Sequence, residues 1–193
     1  MTSVLEIQFV SKPMPIFSTI FDDHVEFNQY MKQVILEHRQ NNPESNNSNV
    51  KAWHSSWDTH EHNLKFEPLV DRTLFTCNYI SQDFFNSNPD LTSYTVVDLW
   101  ALMYEDSEYT DRHSHFGSDF SACYYVDVES DSSPIIFESI RNDGVNNYNQ
   151  PLTIQPQNGM LLIWQSTLQH EVPSTKGKRI SISMNIDKRG RKS

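Results

Sequence analysis

The chain has 193 residues, enough for one domain with a sizeable core and too few for two full ones. Its formal net charge of −10 argues against a general nucleic-acid or anionic-membrane binder, because phosphate surfaces call for a basic face. Aromatic residues make up 12% of the chain and fall in short clusters, which points to a packed globule rather than to disorder. Cys77 and Cys123 are the only cysteines, and Cys123 sits in an apolar run, so no disulfide framework is expected. The chain does not open with a basic segment followed by an apolar run, and it has no stretch of about 18 apolar residues. The expectation is a cytoplasmic protein with no membrane attachment.

In chain order, "MTSVLEIQFV" (1–10) reads as an opening strand. Residues 22 to 40 read as an amphipathic helix, with Val25, Met31, Val34, Ile35 and His38 at helical spacing and Asp22 and Asp23 suited to its first turn. "NNPESNNSN" follows as a loop by composition. A second helix is expected from about 67 to 85, with Leu69, Thr73, Cys77 and Ile80 along one side. After residue 90 the period shifts towards two. "SYTVVDLWALMY", "DFSACYYVDV", "PIIFESI", "PLTIQP", "MLLIWQ" and "RISISMNI" are strand-like runs separated by turn residues. One domain over 1–193 is expected. Its helical part spans about 1–90, its strand-rich core about 91–187 and its basic tail 188–193. The fold class is α+β, N-terminal helices on an antiparallel jelly-roll core.

Chemistry concentrates in two places. In "YTDRHSHFGSDFSACYYV" (109–126), His113 and His115 share a face if the segment is extended, and Asp111 projects the same way. Taken alone, such a pair more often marks polar residues exposed at a strand end. A second pair, His60 and His62 in "DTHEH", lies in a polar stretch and reads as a solvated loop. In "WQSTLQHEVPSTKGKRISISMNI" (164–186), His170 follows a polar turn and Arg179 opens a strongly alternating strand. Ile180, Ile182, Met184 and Ile186 form its core face. Arg179, Ser181, Ser183 and Asn185 form the other, which looks into solvent or a cavity. Arg179 and Ser181 could together hold a carboxylate by a guanidinium fork and a hydroxyl.

"HSHFGSDFSACYYV", "PQNGMLLIWQSTLQHEV" and "RISISMN", with "AWHSSWD" a weaker match upstream, resemble blocks of the iron(II)- and 2-oxoglutarate-dependent oxygenases. The nearest likeness is to oxygenases of this kind from phage and marine bacterial genomes, and it spans about residues 50 to 187. The resemblance implies a double-stranded β-helix core, iron(II) as metal and 2-oxoglutarate as cosubstrate. It implies hydroxylation of an acceptor by O2, with succinate and CO2 released; the acceptor is a small molecule or peptide. It implies His113 and His170 as metal ligands, Arg179 as partner of the far carboxylate of 2-oxoglutarate, Ser181 beside it, and a hydroxyl from Tyr104. The departure is His115, where most of the superfamily has a carboxylate. Two histidines and a carboxylate leave a ferrous site at +1, whereas three neutral histidines leave it at +2. The third ligand is therefore His115, Asp111, Asp119 or water, with His115 preferred on spacing. Loops 41–63 and 141–150 are the expected seat of substrate selectivity. The rival readings are a cupin-type iron dioxygenase without 2-oxoglutarate, and a jelly-roll binding protein without metal.

Overall fold

The computed structural model describes residues 8–9, 14–44, 49–138 and 151–190. Strands β1 (Gln8–Phe9), β2 (Ile16–Ile20), β4 (Trp53–His54), β5 (Thr92–Tyr104), β7 (Phe120–Val128), β10 (Met160–Gln165) and β12 (Arg179–Gly190) form a larger sheet. Its order is β1-β2-β10-β7-β12-β5-β4. Strands β3 (Val50–Lys51), β6 (Tyr109–His113), β8 (Ile135–Phe137), β9 (Leu152–Ile154) and β11 (His170–Val172) form a smaller one, in the order β3-β6-β11-β8-β9. Neighbouring strands are antiparallel in both. Two facing antiparallel sheets with crossing connections make the double-stranded β-helix core expected from the strand pattern.

The helices cover the outer face of the larger sheet. Helix α1 (His24–Asn41) buries Phe27, Met31, Val34 and Ile35, and α3 (Glu67–Phe85) buries Leu69, Thr73, Cys77 and Ile80. All of these but Thr73 share one apolar cluster with Leu99, Ala101 and Met103 of β5 and with Ile180, Ile182, Met184 and Ile186 of β12. Thus α3 has the bounds and the buried side that its period dictates. Val25, expected on the inner face of α1, is 61% exposed, because it precedes the turn that meets the sheet. Arg72 of α3 clamps the start of α1, donating two bonds to Asp23 and lying 4.0 Å from the Phe27 ring centroid. Cys77 and Cys123 are buried free thiols.

Several expectations shift. The N-terminal part is not wholly helical: β2 pairs with β10 at one side of the larger sheet, and β4 with β5 at the other. The last strand does not stop near 187. Lys188 and Arg189, expected in a basic tail, pair with Tyr94 and Ser93 of β5, because the β5 partner is long enough to carry the ladder on. His60 and His62 lie on a one-turn helix, α2 (Thr59–His62), not a loop. The expected loop at 41–63 is interrupted by β3, β4 and α2, and the 141–150 loop lies outside the described residues. Among the described residues no helix is long and apolar enough to cross a membrane.

Because Leu69 is fully buried where α3 meets the sheet, Leu69→Ala should lower the unfolding free energy by about 2–5 kcal/mol. Urea titration followed by circular dichroism measures this, and a change below 1 kcal/mol, roughly a surface substitution, would place α3 outside the core.

Candidate active site

The alternation of β12 sends its apolar side chains to the helices and its polar ones between the sheets. Arg179 and Ser181 are each 2% exposed, so this face looks into an interior cavity rather than solvent. β5 obeys the same rule: Leu99, Ala101 and Met103 face the helices, and Trp100, Leu102 and Tyr104 face the smaller sheet. One cavity between the sheets is lined by His113, His115, His170, Tyr104, Arg179 and Ser181, all six of the residues singled out from sequence.

The histidines converge by three routes. His113 ends β6 and His170 begins β11, and the pairing of those strands sets the two residues opposite one another. His115 arrives differently. It lies beyond the end of β6, so it does not share a strand face with His113 as its spacing suggested. Its backbone N–H instead donates to the Ser166 carbonyl at 2.8 Å, which turns the segment towards β10. One ligand atom from each ring lies within 4.8 Å of the other two.

Hydrogen bonds fix which nitrogens are free. Nδ1 of His113 lies 2.8 Å from the Asp111 carbonyl, and Nδ1 of His170 lies 3.1 Å from the Leu168 carbonyl. A carbonyl oxygen only accepts, so both Nδ1 atoms carry hydrogen and both Nε2 lone pairs remain for an ion. Burial disfavours the imidazolium form at all three rings. It lowers the pKa of His113, helps lower that of His115 to about 4 with the charge of His113 adding, and holds His170 well below the ordinary range. Three neutral imidazoles with convergent lone pairs suit a divalent transition metal such as iron(II).

The carboxylates considered as third ligands are elsewhere. Asp111 is exposed and is not part of the histidine cluster; it reaches His113 through its backbone carbonyl. Asp119 is exposed, and its carboxylate accepts the Lys188 backbone N–H at 2.7 Å. His62 is exposed and bonds Asp58 at 3.0 Å; neither it nor His60 joins the cluster.

Arg179 presents an unusual balance. Its Nη1 donates to the Ser133 carbonyl at 3.1 Å, and its guanidinium lies 4.4 Å from the Tyr104 ring centroid and 5.9 Å from that of Tyr125. Its Nε has no hydrogen-bond partner, and among the described residues no carboxylate pairs with it. A buried cation without an anion is costly, so the cavity is built to receive a negative group. Tyr104, paired with Arg179 across β5 and β12, places its hydroxyl 2.6 Å from Thr110 Oγ1; burial raises its pKa and keeps it a neutral phenol. Sequence reasoning missed Thr110, Tyr125, and the aromatic group of His54, Trp57 and Trp100 beside His115. The weak "AWHSSWD" likeness was the one signal for part of that group.

The sequence matches a family described as "Putative 2OG-Fe(II) oxygenase" over residues 98–185, a little under half of the chain. No curated protein matches it in sequence. In fold it is similar to a prolyl-4-hydroxylase of Pseudomonas putida, at 15% identity and TM-score 0.61, over 84% of this chain and 88% of that one. It is similar to a prolyl hydroxylase of Trichoplax adhaerens solved with a hypoxia inducible factor peptide fragment, at 16% identity and TM-score 0.63, over 88% and 83%. A third similar structure is SnoN, a non-heme alpha-ketoglutarate-dependent epimerase from nogalamycin biosynthesis, at 14% identity and TM-score 0.59, over 91% and 80%. Matched by that family across its central strands, the chain resembles the iron(II)/2-oxoglutarate oxygenases and is a dioxygenase that uses iron(II) and 2-oxoglutarate; over most of its length it shares the fold of these three enzymes.

Proposed function

We propose that His113, His115 and His170 hold the iron, that Arg179 anchors the distal carboxylate of 2-oxoglutarate, and that Tyr104 and Ser181 assist it. The observation that carries this reading is the pairing, in one cavity, of three convergent neutral imidazoles with a buried arginine that lacks an anion. Iron(II) and 2-oxoglutarate bound there supply the oxidising chemistry, in which O2 and 2-oxoglutarate become succinate, CO2 and the hydroxyl group of a hydroxylated acceptor.

The chain's own share is position and environment. The carbonyls of Asp111 and Leu168 hold two imidazoles in the ligating tautomer. The Arg179 fork offers Nε and its remaining amino hydrogens to a carboxylate, while the electron-rich face of the Tyr104 ring, 4.4 Å from the guanidinium, attracts its positive charge. Trp164 packs edge-on and Phe137 at a tilt against His170, with ring centroids 5.0 and 5.7 Å away, and they keep water from that side. With three uncharged imidazoles as ligands, a ferrous ion would have its charge compensated only by the dianionic cosubstrate, which would favour binding of the two together. A cupin-type dioxygenase would leave Arg179 without a role.

His113→Ala and His170→Ala should each abolish tight iron(II) binding, and metal analysis of purified protein reads this directly. His115→Ala should lose iron as well, and His115→Asp should keep it by supplying an anionic oxygen. His60→Ala and His62→Ala should bind iron like the parent. Full iron content in His115→Ala would move the third ligand to a carboxylate or water.

Arg179→Ala should weaken 2-oxoglutarate binding about ten- to a hundredfold, as expected for loss of a charge-assisted hydrogen-bonded pair. Iron content should be unchanged. Arg179→Lys should recover part of the loss, since a point charge does not reproduce the planar fork. Anaerobic titration of the iron(II) protein, followed by the metal-to-ligand charge-transfer band, measures all three proteins; equal affinity in Arg179→Ala would refute the anchor.

A further inference from the structure

The turn that joins β10 to β11 serves two of the three histidines. The Ser166 carbonyl accepts the His115 N–H at 2.8 Å, and the Leu168 carbonyl lies 3.1 Å from His170 Nδ1. A bond of 2.9 Å from the Leu168 N–H to the Gln165 carbonyl closes residues 165–168 into a β-turn. The Ser166 N–H donates to the Asp119 carbonyl at 3.2 Å, so the turn is also tied to the far end of the segment that carries His115. Turn residues ordinarily sit in solvent, but Ser166 is fully buried.

Its hydroxyl begins a row of side chains that crosses the larger sheet. Ser166 Oγ lies 2.9 Å from Ser121 Oγ of β7, and Ser121 Oγ lies 3.4 Å from Asn185 Oδ1 of β12. Asn185 Nδ2 donates to Asp98 Oδ2 of β5 at 2.9 Å. The strand registers set these groups side by side, with Asn185 opposite Asp98 on one flank and opposite Ser121 on the other. One direction of donation satisfies the whole row. The Asp98 carboxylate accepts, so the Asn185 amide nitrogen faces it and the amide oxygen faces Ser121. That oxygen also only accepts, which commits the Ser121 hydrogen to Asn185 and makes Ser166 the donor to Ser121. Every hydrogen points from the turn towards the carboxylate, and each bond polarises the next. Stability alone does not call for such a row, since apolar side chains of the same shape would replace it at little cost.

We propose that Ser166 is a positioning residue for the metal site. Anchored through Ser121 and Asn185 to Asp98, its hydroxyl fixes the turn whose carbonyls place His115 and orient His170. The inference rests on the reading of His113, His115 and His170 as iron ligands, and it adds what holds two of them in place. Ser166 acts through backbone carbonyls and not as a ligand.

Iron(II) is titrated calorimetrically, under nitrogen, into the metal-free parent and its variants, and circular dichroism establishes that each is folded. Ser166→Ala should bind iron(II) about ten- to a hundredfold more weakly, as when a group that orients metal ligands is lost. At saturating iron(II) and 2-oxoglutarate its charge-transfer band should be displaced from the parent's, because the imidazoles meet the metal at different angles. A purely structural role would lower the unfolding temperature and move neither reading. Asn185→Asp sets two carboxylates against one another and should weaken iron binding comparably. Adding Asp98→Asn restores an amide facing a carboxylate, with Ser121 still donating to residue 185, and should return the affinity to the parent's range. This pair decides the matter if Ser166→Ala does not fold. Parent-like affinity in Ser166→Ala, or no recovery in the double variant, would overturn the inference. A parent that binds no iron(II) refutes the metal site itself, whereas a parent and a Ser166→Ala protein that bind it equally refute the positioning role alone.

Discussion

The pairing of β11 with β6 is the constraint on which the rest of the site depends. It brings His170 opposite His113 from segments far apart in sequence, and it needs only a few backbone hydrogen bonds in the smaller sheet to do so. Each imidazole is then oriented by a carbonyl of its own segment, two residues earlier, so the two rings are set locally once the strands have met. The larger sheet supplies the complementary half. β12, paired with β5 along its length and with β7 from Arg179 to Ile186, turns a hydrophobic face to the helices and a polar one to the cavity. Core and cosubstrate pocket are two sides of one strand, so the packing that stabilises the fold also fixes Arg179.

Electrostatics explains why the polar side of this arrangement stays polar. Burial keeps the three imidazoles neutral, and the buried Arg179 has no carboxylate beside it among the described residues. The first condition prepares ligands for a divalent cation, and the second prepares a receptor for a carboxylate. Neither is a device for stability, since apolar residues of similar size would pack the cavity more favourably. The cavity spends part of the fold's stability on groups that are satisfied only by ligands.

Much of this was legible in sequence where the period was long and unbroken. The nineteen residues of α3 and the alternation of β12 dictated both the elements and their buried faces. The double face of β12 placed Arg179 and Ser181 together without knowledge of the neighbouring strands. What was not legible depended on contacts across the fold. His115 was assigned to a strand face by its spacing from His113, but the strand ends at His113 and a carbonyl of the β10–β11 turn sets its course. Val25 obeyed the helical period and yet faces solvent, because the helix begins before the sheet that would cover it. The aromatic group beside His115 was signalled only in part, by the weak "AWHSSWD" likeness, for the same reason: Trp57 and Trp100 are neighbours only because residues 53–58 run beside β5.

The position of His115 just past the end of a strand has a consequence for how such a site can diverge. A residue inside β6 is bound to alternation and to partners on both sides, and changing it disturbs the sheet. Residue 115 is held by two backbone bonds, its N–H donating to the Ser166 carbonyl and its carbonyl accepting from the Ser118 N–H, and both are indifferent to the side chain it carries. The chemistry at that corner can therefore change from imidazole to carboxylate, or to a small side chain, while the two strand-borne histidines keep their geometry. A lineage that drifts at this one codon samples different charges at the metal on an unaltered scaffold.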